Sequence, residues 1–200
     1  HNDYHHLLAT DGYVNGRRGN WPFGEVGTTT WISKNGSKLG TSKLNGYSGT
    51  VFEPINEFKG DFARIYFYFA TRYENQIQSF NFDMYDGSKT KVFAEPFLNM
   101  LLRWHQQDPV SQKEIDRNNA VYSIQKNRNP FIDHPEWVNT IWNQTPDGII
   151  PQPPLNLNVS QNSAYFVNLN WDASTESDVL GYKVFQNGNL VATTSNTTIT

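Results

Sequence analysis

A proline-rich segment at residues 145–154 divides the chain into two parts with different hydrophobic periodicity. It contains four prolines and an Asp-Gly turn signal. Proline fixes φ and lacks a backbone donor, so the segment is expected to be extended and exposed. The composition also changes here, because residues 1–150 hold 15 of the 16 Lys and Arg. We therefore predict one domain at residues 1–144, a linker at 145–154 and part of a second domain at 155–200.

Before this linker, apolar residues recur mainly at helical spacing. They lie almost all round the run at residues 62–73, which predicts a central, buried helix with Asp61 as its N-cap. A second helical pattern covers Glu95–Gln107. The first domain is therefore predicted to be mainly helical, within an α+β protein.

Two further helices are predicted from their start signals. Ser111, followed three residues later by Glu114, has the pattern of a capping box and predicts a helix that ends near Gln125. Pro135 favours the first position of a short helix over residues 134–142.

After the linker, the period of the apolar residues changes to two. The alternating stretches are 155–159, 166–171, 181–185 and 190–192. Asn187-Gly188 is a turn signal between the last two stretches, and the whole pattern predicts an all-β sandwich. The order of Pro153-Pro154, Trp171 and Gly181-Tyr182-Lys183-Val184-Phe185 resembles the first half of a type III fibronectin domain, which is immunoglobulin-like, so the module is expected to be cut short.

The composition limits the function classes. The formal net charge is -3, so the chain does not hold a polyanion by bulk positive charge, and nucleic-acid contacts must be local. No apolar run approaches the roughly 20 residues that span a bilayer, so no membrane insertion is expected. The chain has no cysteine, which removes disulfides and thiolate metal sites.

Candidate catalytic groups are concentrated in the first 21 residues. This stretch contains imidazoles, carboxylates, guanidinium groups and amides at close spacing. In an extended conformation Asp3 and His5 would point to the same face, so the carboxylate would orient the imidazole, while His6 would face the other way. The lysines of residues 27–49, a stretch without acidic residues, indicate either a flexible basic arm over a substrate or a plain surface insertion.

Residues 3–26 have the pattern Asp-x-His-His-Leu-x-x-x-Asp-Gly-x-Val-Asn-x-x-Arg-x-Asn-x-Pro-Phe-Gly-Glu-Val. This pattern resembles the signature of the endonuclease I family of bacterial nucleases. Further matches follow in order at residues 52–54, 59–68, 104, 108–111 and 127–136, so that the resemblance covers about residues 3–143.

The resemblance implies a secreted ββα-metal nuclease that cuts DNA, and also RNA, with Mg²⁺ or Ca²⁺ and little sequence preference. Asn15 matches the family's metal-binding asparagine, and Arg18 matches a family position. The family's catalytic Glu-His pair lies upstream of the Asp-x-His-His motif, so we expect this chain to be a fragment without that strand.

The predicted site combines these matches with the local chemistry. His5 and Arg18 are predicted catalytic residues, and Asn15 is the predicted metal ligand. Arg17, Arg18, Asn20 and Arg128 are predicted to contact nucleic acid.

Two alternatives remain open at this stage. In the first, Asp3, His5 and His6 themselves supply the base or the metal ligands. In the second, the domain binds nucleic acid or a surface without cutting, and the β-module attaches the protein to an extracellular polymer or to a cell surface. An Asn15 amide that only satisfies backbone groups would fit this second alternative.

Overall fold

The computed structural model describes residues 3–143, 153–163, 166–174, 181–194 and 196–200. The chain forms two compact units, His1–Asn143 and Gln144–Thr200. Helices and strands are both present, so the protein is of the α+β class. Most of the predicted linker lies outside the described residues. Of the linker, the structure describes only Pro153 and Pro154, and both are exposed.

The first unit opens with a short helix and an antiparallel sheet. After a 3-10 turn at Tyr4–His6 come α1 (Gly12–Arg18), β1 (Val26–Ile32), β2 (Lys38–Ser42) and β3 (Thr50–Glu53). The strand order is β1-β2-β3, with Trp31 opposite Leu39 across β1 and β2. Residues 27–49 therefore contain a structured hairpin, which disfavours the flexible arm of the two alternatives.

Five helices follow the sheet. They are α2 (Lys59–Arg72), α3 (Glu95–Gln107), α4 (Gln112–Gln125), α5 (Pro130–Asp133) and α6 (Trp137–Trp142), with short 3-10 turns at Asn56–Phe58 and Ile77–Ser79. The predicted bounds of α3 are confirmed. The capping box of α4 is also confirmed, because Ser111 and Glu114 each accept a backbone N–H from the other. Within the described ranges, no helix is long and apolar enough to cross a bilayer.

Two predicted helix starts were wrong, and one helix was not predicted. Asp61 does not cap α2, which begins at Lys59 and places the Asp61 carboxylate inside the first turn, facing Arg64. The predicted helix at 134–142 begins only at Trp137. The preceding helix α5 was not predicted, although the Asn129 side chain caps it by accepting from the N–H of Phe131 at 3.0 Å. Each error reflects a tertiary contact or cap that outweighs local propensity.

The core of the first unit lies between α2 and α3. Phe67 of α2 is fully buried and stacks on Trp142 of α6 with ring centroids 4.6 Å apart. The other fully buried apolar side chains of α2 and α3 are Ala63, Phe97, Met100, Leu101 and Trp104. Burial of such large apolar side chains contributes about 1.5–3 kcal/mol for each one, so this contact is the main source of stability for the unit.

The second unit contains two small antiparallel sheets in the part that the structure describes. The strands are β4 (Asn158–Asn162), β5 (Val167–Asn170), β6 (Tyr182–Gln186), β7 (Asn189–Thr194) and β8 (Thr198–Ile199). They pair as β4-β5-β8 and β6-β7. Asn187 and Gly188 both have positive φ, at 52° and 83°, which fits the predicted hairpin turn. Trp171 is buried.

A buried ion network joins α2 to α3 and α4. The guanidinium group of Arg64 is fully buried and binds both carboxylate oxygens of Glu114, at 2.6 and 2.8 Å. It also donates to the backbone carbonyl of Asp108 at 2.8 Å, and it lies 3.5 Å from the Asp61 carboxylate. A Cβ on Gly60 would stand 1.9 Å from the same carbonyl of Asp108, so glycine is required at this close approach.

The network predicts an unusual dependence of stability on pH. Burial and the nearby charge of Glu114 raise the pKa of Asp61 to about 7, although Arg64 opposes the shift. The folded state therefore binds a proton that the unfolded state releases between pH 4 and pH 7, so this group stabilises the fold less as pH rises through that window. The slope for one proton is at most about 1.4 kcal/mol per pH unit.

We expect Asp61→Asn to remove this slope, because the amide resembles the protonated acid. Thermal melts at pH 5 and pH 8 measure the effect, and the variant should gain stability relative to the original chain at pH 8. Burial lowers the pKa of His5, His6 and His105, which gives the opposite pH trend in both proteins and cancels in the difference. The prediction would be contradicted if the melting temperatures of the variant and the original chain differed by the same amount at pH 5 and at pH 8.

Candidate functional site

Asp3 is the centre of a hydrogen-bond cluster that anchors the N-terminal segment. Its carboxylate accepts from the hydroxyls of Tyr68 and Tyr73, at 2.6 and 3.1 Å, from the N–H of His5 at 3.0 Å and from the amide of Gln125 at 2.9 Å. Burial tends to raise the pKa of Asp3, but hydrogen bonds from Tyr68 and Gln125 outweigh it and lower the pKa to about 2. Asp3 therefore remains ionised and holds this segment on α2 and α4.

His5 and His6 have different surroundings. The predicted extended segment is a 3-10 turn, and Asp3 binds the backbone N–H of His5 instead of its ring. The fully buried His5 ring donates from Nε2 to the carbonyl of Asn127 at 3.0 Å, and its Nδ1 has no partner in the described residues. Burial lowers the pKa of His5. Because a base must reach its substrate, this placement disfavours the predicted catalytic role of His5.

His6 is the imidazole that lines a cavity. Its Nδ1 lies 4.0 Å from the Asp3 carboxylate, and its ring packs against Phe69. Burial lowers the pKa of His6, while Asp3 opposes the shift. The Asp3 carboxylate thus lies near the His6 ring, but 4.0 Å is too long for a hydrogen bond and the His6 Nδ1 has no partner among the described residues.

Helix α1 carries Asn15 at the edge of the same cavity. The Asp11 carboxylate caps the helix by accepting from Val14 N–H at 3.0 Å, and Gly19, with φ 54°, ends it. Asn15 is exposed, and within the described part of the chain its side chain has no hydrogen-bond partner. The Asn15 amide is thus free for a ligand and does not serve to satisfy buried backbone groups.

The cavity has a volume of about 470 Å³. Its polar rim is formed by His6, Asn15 and Arg18, and its floor is mainly aromatic, with Phe23, Phe52, Phe62, Tyr66, Phe69, Phe82 and Tyr85. Arg18 lies over the ring of Phe23, 4.7 Å from its centroid, and its Nε has no partner among the described residues. Burial raises the pKa of Tyr66 to about 12, although the nearby Arg18 opposes the shift. Arg18 thus packs against Phe23 and interacts with Tyr66 in the wall of the cavity.

The other predicted contact residues differ in accessibility. Arg17 and Asn20 are exposed, and Arg17 lies over the ring of Trp31 at 5.4 Å. Arg128, by contrast, forms a bidentate pair with Asp133 at 2.6 and 2.7 Å. This pair satisfies the guanidinium group and disfavours a phosphate contact by Arg128.

The segment after α4 has a structural role. Asn127 donates to the Tyr68 hydroxyl at 2.7 Å, and its carbonyl accepts from His5. Asn129 donates to the carbonyl of Arg64 at 3.2 Å, and its own N–H is bound by Asn118 at 2.9 Å. The signal in the sequence was the repeated asparagine, a residue that caps helices and bridges backbone groups.

The residues at this site fit a divalent cation only in part. The carboxamide oxygen of Asn15 is a suitable ligand for Mg²⁺ or Ca²⁺. Across the described ranges, no group of three or more His, Cys, Asp or Glu side chains is arranged to hold a metal ion. Asn15 therefore offers one oxygen ligand, and the described residues do not form a complete metal site.

Comparison with known proteins identifies relatives of the first unit. The family model described as Endonuclease I matches residues 1–136. The extracellular ribonucleases of Bacillus amyloliquefaciens and Bacillus subtilis (strain 168) are 42% and 40% identical over 144 residues, which cover 70% of this chain and 46% of each relative. An extracellular deoxyribonuclease of Aeromonas hydrophila is 26% identical over 132 residues, or 66% of this chain and 48% of the relative. The chain thus spans about half the length of the curated relatives it matches.

Proposed function

Because this chain belongs to the endonuclease I family, we propose that the protein hydrolyses phosphodiester bonds of DNA and RNA with little sequence preference, using Mg²⁺ or Ca²⁺. The observation that carries the proposal is the position of Asn15 and Arg18 on α1. Both side chains line the same open cavity, and the Asn15 amide has no hydrogen-bond partner within the described residues.

The two side chains have complementary roles in this proposal. Asn15 supplies an oxygen ligand to the cation, and a bound cation stabilises the negative charge that develops on a phosphate. Arg18 donates hydrogen bonds to the phosphate oxygens, a task for which the planar guanidinium group is well suited. Since Phe23 and Tyr66 hold Arg18 in place, little side-chain entropy is lost when the phosphate binds.

The base that activates water is proposed to lie outside the described residues. Two facts support this: His5 is fully buried, and the chain covers about half the length of its relatives. If the base belongs to this chain, His6 is the described imidazole placed to activate water. It lines the cavity and lies beside Asp3.

The wider architecture supports an exported enzyme. We propose that the first unit is a ββα-metal nuclease and that the second is a fibronectin type III-like module, supported by its antiparallel strands, its buried Trp171 and its Asn187-Gly188 turn. Secretion is supported by relatives named extracellular or periplasmic nucleases. Exposed apolar residues on β6 and β7, including Phe185 and Val191, support attachment of this module to an extracellular polymer or a cell surface.

The proposal is tested by digesting supercoiled plasmid DNA and single-stranded RNA with the protein. We expect cleavage of both in Mg²⁺ or Ca²⁺ and its complete loss in EDTA. If His6→Ala abolishes the cleavage, the base belongs to this chain, and if the variant stays active, the base lies elsewhere in the protein. Binding of both nucleic acids without cleavage in either cation would overturn the proposal and would support the nucleic-acid-binding alternative.

A further inference from the structure

An exposed aromatic and cationic surface lies on the side of α1 that faces away from the cavity. Tyr13 and Arg17 are one helical turn apart and therefore share a face. The Tyr13 side chain is 67% exposed, and its ring meets Trp31 of β1 edge to face, with centroids 6.1 Å apart. Arg17 covers the same Trp31 ring at 5.4 Å. We call Tyr13, Arg17 and Trp31 the α1 platform.

The charge of Arg17 is available to a ligand. None of the ion pairs among the described residues involves Arg17. A similar pair elsewhere provides a contrast, because Arg128 lies over the Tyr122 ring at 5.6 Å but is neutralised by Asp133. Arg17 and Arg128 thus both lie over an aromatic ring, and of these two only Arg17 has no ion-pair partner among the described residues.

The surroundings of the platform are locally basic in an acidic chain. Residues 12–53, from the start of α1 to the end of β3, contain five Lys or Arg and two Glu, whereas the whole chain has a formal net charge of -3. An exposed ring beside a free guanidinium group on a basic surface fits a strand of nucleic acid, in which the base stacks on the ring and the phosphate meets the cation.

The platform is close enough to the cavity to bind the same strand. Helix α1 has seven residues, so it is about 10 Å long and roughly 10 Å across with its side chains. A strand with one phosphate at Asn15 and Arg18 therefore brings a neighbouring nucleotide against Tyr13. Stacking on Tyr13 requires a base whose face is exposed. The bases of a duplex stack on one another, so only an unpaired base can stack on the ring.

We propose that the α1 platform stacks an unpaired base next to the cleavage site, so that the protein binds single-stranded nucleic acid more tightly than duplex. The inference rests on the proposed function for the position of the cleaved phosphate. The stacking itself is a binding property that can be measured without cleavage.

Binding of labelled 12-nucleotide probes in EDTA, measured by fluorescence anisotropy, tests the platform. Tyr13→Ala should weaken binding of single-stranded DNA and RNA by roughly 5- to 100-fold, the range for losing one base–aromatic stack, and should leave duplex binding unchanged. Tyr13→Phe keeps the ring and should bind like the original chain. Tyr122→Ala, which removes the exposed ring beside the neutralised Arg128, should have no effect on either probe.

A backbone probe that lacks bases separates stacking from charge. We expect Tyr13→Ala and the original chain to bind an abasic single strand equally, since no base is present to stack. Equal losses on single-stranded, duplex and abasic probes, or no loss on any of them, would overturn the platform. Failure of the proposed function appears differently, as absence of cation-dependent cleavage while the Tyr13-dependent binding of single strands persists.

Discussion

Replacing Arg64 by Met is expected to destabilise the first unit by about 3–5 kcal/mol, the cost of removing one partner from a buried ion pair. The guanidinium group is fully buried and is the cation between Glu114 and Asp61. Without it, two carboxylates are left in a site with little access to water, and the Asp108 carbonyl loses a donor. For a unit of this size the melting temperature should fall by roughly 6 to 20 °C, as measured by circular dichroism.

A surface arginine provides the matched control for Arg64. Arg103 is 46% exposed and pairs with Glu25 at 3.1 Å, so Arg103→Met should cost no more than about 1 kcal/mol. Arg64→Lys keeps the charge but loses the planar guanidinium group, so its loss of stability should lie between those of Arg64→Met and Arg103→Met. Equal melting temperatures for Arg64→Met and Arg103→Met would show that the buried network does not hold α2, α3 and α4 together.

Local signals in the sequence predicted the elements whose ends depend on local chemistry. The bounds of α3 and the capping box of α4 follow from periodicity and from Ser111 with Glu114, and both are confirmed. The start of α2 was missed because Asp61, a good capping residue, lies inside the helix beside Arg64, which is itself bound by Glu114, a residue remote in sequence. Hairpin β1–β2 was missed because its strands are short and polar, with little alternation.

The candidate functional site was also predicted only where local sequence determines it. Sequence reasoning found Asn15 and Arg18, and the structure places both on one cavity rim. The sequence favoured His5 over His6 because the segment was expected to be extended, whereas the 3-10 turn buries His5 and leaves His6 at the cavity. Nor did it indicate that Tyr13 stands exposed beside Trp31, since the pairing of α1 with β1 depends on the tertiary fold.

Asn15→Ala is expected to lower cation-dependent cleavage by about two orders of magnitude or more, because it removes an oxygen ligand of the proposed cation site. The loss should appear as a higher Mg²⁺ concentration for half-maximal rate as well as a lower maximal rate. Asn15→Asp retains an oxygen ligand and should keep more activity than Asn15→Ala. Rates of plasmid cleavage over a range of Mg²⁺ concentrations measure both effects.

The stability of the variant decides how the loss is interpreted. Asn15 is exposed, and its side chain has no partner within the described residues, while alanine favours helix more than asparagine by several tenths of a kcal/mol. Asn15→Ala should therefore melt at or above the temperature of the original protein, so that lost cleavage reflects lost chemistry. Asn119→Ala, on the exposed face of α4, makes the same exchange away from the cavity and should cleave normally. If Asn15→Ala also cleaves normally, the Asn15 amide does not hold the cation.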